Sequence, residues 1–139
     1  MRIIGIDFGE KRIGVAAADG RTRIAIPLTT VDAGNDPVEA IIRIAADERA
    51  DELVIGLPLS LTGAEGPQAQ VIRDAVAALE TKLTIPIRLQ DERLTTRQAS
   101  HSTGRSQKKR GKPEKQDNRD AVAAAILLQA YIDGQRPYE

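Results

Sequence analysis

The 139-residue sequence has no cysteine and no tryptophan, and only one phenylalanine, two tyrosines and one histidine. Lack of cysteine excludes disulfides, thiolate metal sites and a cysteine nucleophile. Scarcity of aromatics means that the core is built from Ile, Val, Leu and Ala. It also argues against a base-stacking platform of the kind used by single-strand binders. Ser60 has no evident base partner, which speaks against a serine hydrolase, and His101 reads as a surface residue. Apolar runs are too short to cross a bilayer. The start, MRII, enters a strand pattern directly, without a signal-peptide layout. These features predict one cytoplasmic domain over residues 1–139 with no membrane partner.

Charge is balanced in total, at 20 basic and 20 acidic residues, but not in distribution. Arg105, Lys108, Lys109, Arg110, Lys112, Lys115 and Arg119 face only Glu114 and Asp117, so residues 105–119 carry a net +5 and the remainder about −5. Residues 102–116 (STGRSQKKRGKPEKQ) contain no apolar side chain and read as a mobile basic loop.

Periodicity predicts strands at 2–8 (RIIGIDF), 12–18 and 22–28, with a tight hairpin at Asp19-Gly20 and Pro27 suiting an edge strand. Links this short make the three an antiparallel meander. Asp36-Pro37 then opens a helix, with Val38, Ile41, Ile42, Ala45 and Ala46 as its apolar stripe. A near-continuous apolar strand follows at 52–57, as a parallel strand covered on both faces requires. Helix 67–83 carries Val71, Ile72, Ala75, Val76 and Leu79. A fifth strand is predicted at 85–90, and a short helical piece capped by Thr95 or Thr96. The last helix spans about 118–133, with Val122, Ala125, Ile126, Leu128 and Gln129, and stops at Gly134. The order βββ-α-β-α-β-α implies an α/β fold: a five-stranded mixed sheet with helices on both faces, the ribonuclease H-like layout.

Carboxylates occupy informative places in this order. Asp7 interrupts an otherwise apolar strand, where a dry unpaired charge is very costly. Asp91-Glu92 closes the fifth strand. Asp117 and Asp120 open the last helix. The first and fifth strands flank the fourth, so these acids can converge. An all-oxygen cluster suits Mg²⁺ or Mn²⁺, and two such ions about 4 Å apart serve phosphodiester hydrolysis. Plainer roles stand beside this one. Asp7 can pair with Lys11 or Arg12, one acid of the Asp91-Glu92 pair can bind Arg93, and Asp117 and Asp120 can serve a helix N-terminus. Gly9 permits a turn and close approach of a phosphate; Gly5 and Gly14 are weaker signals. The GLPLSLTGAEGP loop precedes a helix and reads equally as a phosphate site or a plain connection.

GIDFGEKRIGVA, VIGLPLSLTGAEGPQAQ, DERLTT, the basic loop and DAVAAAILLQAYID, in this order, resemble the YqgF/RuvX family over nearly the whole chain. That family is described as Holliday junction resolvases and as nucleases that mature the 5′ end of pre-16S rRNA. The resemblance implies a metal-dependent endonuclease with Asp7, Glu92 and Asp120 as its catalytic acids. Asp91 is the alternative to Glu92 as metal ligand. Gln98 stands where many relatives carry an acid, which argues against a ligand there. Asp117, three residues before Asp120, resembles the acid pair of RuvC-type resolvases and adds a candidate fourth ligand. Lys11 and Arg12 are expected at the scissile or adjacent phosphate. Arg105, Lys108, Lys109 and Arg110 are expected to steer the backbone of structured RNA (pre-rRNA) or branched DNA, with salt-sensitive binding and contacts to backbone more than to bases. A monomer or weak homodimer is expected. Two other classes compete: an ATP-binding protein, which needs a second domain, and a non-catalytic nucleic-acid-binding module, which has no use for the three acids.

Overall fold

In the computed structural model, residues 1–9, 11–58, 62–92 and 116–134 are described, the side chains of 116–118 excepted. The elements are β1 (Arg2–Phe8), β2 (Arg12–Asp19), β3 (Ala25–Asp32), α1 (Pro37–Asp47), β4 (Glu52–Leu57), α2 (Pro67–Lys82), β5 (Ile87–Asp91) and α3 (Gln116–Gly134). The sheet order is β3-β2-β1-β4-β5. β1, β2 and β3 pair antiparallel, while β1, β4 and β5 run parallel. The mixed sheet expected from the sequence is therefore present. No helix among the described residues is long and apolar enough to cross a membrane.

Three local expectations are corrected. The link after β2 is not a two-residue hairpin. Gly20 N donates to Met1 O at 2.8 Å and Arg23 N to Asp19 O at 2.9 Å, and Arg23 adopts φ +59°. The third strand consequently starts at Ala25, not at 22, and runs to Asp32. Pro27 does sit on an edge strand, beside a register shift at Val15/Ala16. The fifth strand starts two residues late, at Ile87, and ends on Asp91. The last helix includes Gly134 instead of stopping before it.

α1 forms as predicted: Asp36 Oδ1 accepts from Glu39 N at 3.1 Å, and Pro37 sets the first helical φ. Its buried residues are Ile41, Ile44 and Ala45, whereas Ala46 is exposed. Val71 and Val122 also fall outside the core, at 59% and 38% exposure. Burial depends on what a helix face meets, and periodicity alone does not fix where the stripe ends.

Two apolar layers cover the sheet. Ile4, Ile6, Ile13, Val15, Leu53 and Ile55 point to the α1/α2 side. The other side is lined by smaller residues: Ile3, Ala16, Ala18 and Val54 pack on Ala124, Ala125, Leu128 and Ile132 of α3. This difference in size sets how closely α3 lies. An added Cβ at Gly5 would fall 2.8 Å from Leu128 Cβ, and one at Gly14 would run into the Asp120 carbonyl oxygen. Two glycines thus carve the seat for α3. The far end of α3 is pinned by Gln129, which accepts from Ala25 N at 2.8 Å and donates to Arg23 O at 3.1 Å. Arg23 Nη2 donates to Ile132 O at 2.7 Å.

Candidate metal and nucleic-acid site

The parallel strands β1, β4 and β5 end on the same edge, where open α/β sheets bind ligands. β1 alternates: Ile4 and Ile6 point to the α1/α2 core, so Ile3, Gly5 and Asp7 face α3. Asp7 pairs directly with Gly14 on β2. On its other side, one position beyond the Ile6–Ile55 pair, lies Gly56 of β4. The acid is thus flanked by two glycines, and each makes room for another acid. Gly14 admits the Asp120 turn of α3. At Gly56 an added Cβ would sit 2.6 Å from Glu92 Oε2. Glu92 follows β5 and continues its pairing, with Glu92 N donating to Leu57 O at 3.2 Å.

Asp7, Glu92 and Asp120 are all partly buried, and the electrostatics reflect their approach. Burial, then the Glu92 charge, then the Asp120 charge push the Asp7 carboxyl from its ordinary 3.8 up to about 7. Burial and the neighbouring Asp91 charge push Glu92 upward as well. A paired cation would lower a carboxyl pKa, so an ion pair with Lys11 or Arg12 is not what governs Asp7. Both basic residues are exposed on the link and at the start of β2. Asp91, the last residue of β5, is partly buried. Asp117 lies in the first turn of α3, three residues before Asp120.

Mg²⁺ or Mn²⁺ can be tested against this donor set. All three converging side chains are carboxylates, the ligands hard cations prefer. A partly buried Asp7 between two acids is electrostatically suited to a cation, which would reverse the causes that raise its pKa. Among the described residues no group of three His, Cys, Asp or Glu side chains stands placed to hold a metal ion. The chemistry of the donors fits a hard cation; their spacing in this structure is not that of a formed site.

The sequence pointed to Asp7, Glu92 and Asp120, which the structure places at one end of the sheet; it did not point to Gly56, and it read Gly14 only weakly. Their signal was small residues on one face of neighbouring strands. Arg105, Lys108, Lys109, Arg110, the rest of the basic loop before 116, His101, Ser60, Thr95, Thr96 and Gln98 lie outside the described residues.

The sequence profile of the family described as "RuvX: Holliday junction resolvase" matches residues 1–134. A protein of Chloroflexus aggregans named "Putative pre-16S rRNA nuclease" is 44% identical over 137 residues, covering 96% of this chain and 94% of its own. One of Protochlamydia amoebophila with the same name is 41% identical over 143 residues, covering 96% and 94%. Among solved structures, Thermus thermophilus RuvC in complex with a Holliday junction substrate aligns with TM-score 0.58 at 16% identity, covering 97% of this chain and 95% of that one. The fowlpox virus Holliday junction resolvase aligns at 0.61 and 13%, covering 96% and 99%. These similarities place the architecture in the ribonuclease H-like fold.

Proposed function

The chain belongs to the RuvX family, which is resolvase by description, and on that premise we propose that residues 1–139 form one cytoplasmic domain that cleaves phosphodiester bonds in structured nucleic acid. The substrate favoured by the named relatives is the precursor of 16S rRNA, and the YqgF/RuvX resemblance puts the cut at its 5′ end. The observation that carries the reading is the approach of Asp7, Glu92 and Asp120 from three elements far apart in sequence, marked by the rise of the Asp7 pKa to about 7.

In this reading Asp7, Glu92 and Asp120 hold Mg²⁺ or Mn²⁺, with Asp117 and Asp91 as further donors. Two ions there would lower the pKa of an attacking water and neutralise charge on the leaving oxygen. Water adds to phosphorus and the P–O3′ bond breaks, leaving a 3′-hydroxyl and a 5′-phosphate. The chain's own part is positional. Gly14 and Gly56 fix the spacing of the acids. Burial, with the neighbouring negative charge of Glu92 and Asp120, keeps the Asp7 carboxyl ready to exchange a proton for a cation near neutral pH. Lys11 and Arg12, exposed beside the site, meet the backbone phosphates. Arg105, Lys108, Lys109 and Arg110 supply the salt-sensitive attraction. α1, α2 and α3 all start at this edge of the sheet, and their positive dipole ends favour polyanions.

A second reading, cleavage of four-way DNA junctions, is favoured by the family's description; it calls for paired sites and hence a homodimer. The test offers a 16S precursor and a four-way junction to the wild type and to Asp7→Asn, with Mg²⁺, with Mn²⁺ and with chelator. Metal-dependent cutting that disappears in Asp7→Asn is expected, and the preferred substrate separates the two readings. Salt-sensitive binding without cutting of either would make the protein a non-catalytic module.

A further inference from the structure

Immediately beside the acids, on the opposite face of β1, the structure has a cleft of about 270 Å³. Its walls include Phe8, Gly9, Pro37, Pro58, Gln68 and Val71. Phe8 is the only phenylalanine of the chain and is partly buried, its inner side packed on the α1/α2 core. Val71 is 59% exposed, an apolar side chain left at the rim of this cleft and not used by the core. Gly66 stands at the N-cap of α2 and makes no side-chain cap hydrogen bond. Among the described residues the cleft is mainly apolar, with the ring of Phe8 and the amide of Gln68 in its lining.

We propose that this cleft receives one unpaired nucleobase of the substrate, from a nucleotide next to the scissile phosphate. The inference rests on the nuclease reading and deepens it. Three observations single out this occupant. The first is continuity: Phe8 follows Asp7 directly, consecutive Cα atoms being about 3.8 Å apart, so the cleft wall and Asp7 lie on opposite faces of one strand. A strand of nucleic acid with its phosphate at Asp7 crosses the strand end at Gly9, where the chain has no side chain. The second is size: the volume lies just below the roughly 300–1,000 Å³ usual for drug-sized ligands, which is room for a single planar base and not for a longer apolar segment. The third is chemistry. An aromatic face and proline rings suit stacking, and the Gln68 amide offers a donor and an acceptor together, the pattern that pairs with a base edge. One phenylalanine cannot make a platform for a run of bases, but one base needs only one ring. The cleft makes the enzyme select cutting sites whose flanking nucleotide is already unpaired or is easily drawn out of its stack.

The experiment is an abasic scan. In otherwise identical RNA and DNA substrates, each nucleotide near the cut is made abasic in turn, and KM and kcat are measured with the full-length protein. One position should raise KM on the order of tenfold in the wild type, with little change in kcat. The same abasic substrate should cost Phe8→Leu almost nothing, because the contact is already lost. 2-Aminopurine at that position should change fluorescence on binding to Asp7→Asn and not to the double variant with Phe8→Leu. If Phe8→Leu does not fold, as judged by circular dichroism, Gln68→Ala takes its place, since Gln68 is exposed in the first turn of α2. Cutting that proceeds with a flat abasic scan overturns the cleft assignment alone. Absence of both binding and cutting overturns the assignment together with the nuclease reading.

Discussion

Replacing Asp7 by Asn should stabilise the metal-free protein at pH 8 and leave it nearly unchanged at pH 4. The folded-state carboxyl titrates at about 7 against an ordinary 3.8. Below pH 4 it is protonated in both the folded and the unfolded chain and costs nothing. Between about pH 4 and pH 7 the folded state holds a proton that the unfolded state has released, so stability falls as pH rises. Above pH 7 the full cost is present. Each tenfold difference in proton affinity is worth about 1.4 kcal/mol, so a gap of roughly three decades amounts to at most about 4 kcal/mol. Asn cannot ionise and escapes this cost. At about 3 °C per kcal/mol for a domain of this size, Asp7→Asn should melt on the order of 6–12 °C above wild type at pH 8 in chelator. The assay is thermal and urea unfolding of both proteins across pH 4–8 in chelator. Repeating it with Mg²⁺ or Mn²⁺ should narrow or reverse the gap, because only the wild type gains from binding the ion. A stability difference between the two proteins that stays constant from pH 4 to pH 8 would refute the account of Asp7 as a buried acid strained by Glu92 and Asp120.

Gly14→Ala should destabilise by about 1–3 kcal/mol and abolish cleavage, because the new methyl meets the Asp120 backbone carbonyl, which cannot swing aside; urea unfolding and a cleavage assay read both effects. Gly56→Ala meets the end of the flexible Glu92 side chain, 2.6 Å away. It should shift stability by less than about 1 kcal/mol while lowering cleavage on the order of 10²-fold through misplacement of that acid. Tyr131→Phe removes the 2.6 Å hydrogen bond to the buried Glu52 carboxylate and should cost about 1.5–3 kcal/mol. Cleavage should be retained at a temperature where the variant is folded, since Glu52 opens β4 at the end of the sheet away from the acids.

The elements that periodicity and capping define locally were legible. β1, α1 and β4 are found where the alternation, the Asp36-Pro37 start and the unbroken apolar run put them. What the sequence obscured depends on partners distant in the chain. Ile24 has the alternation of a strand residue but lies in the link, since Arg23 turns there with φ +59° and its guanidinium reaches the Ile132 carbonyl. Val71 belongs to the right helix at nearly the right phase, yet it faces a cleft and not the core. At the site, Asp7 was visible because a carboxylate within an apolar strand is anomalous by itself, whereas Glu92 and Asp120 were singled out only through the resemblance. The glycines were not visible, because the need for Gly14 arises from a helix more than a hundred residues later, and the need for Gly56 from an acid beyond the next strand.

The seat that Gly5 and Gly14 provide for α3 also bears on the order of events during synthesis. Asp7 leaves the ribosome first and Glu92 much later, but the set is incomplete until α3 has emerged and settled against the two glycines. At about 5–20 residues per second, the stretch from Glu92 to the end of α3 takes roughly 2–8 s to make. In the proposed reading, the nascent chain during that interval carries a nearly finished sheet with an unfinished set of acids. A nuclease made beside abundant RNA would thus remain harmless until its final helix docks, with its own topology acting as the timer.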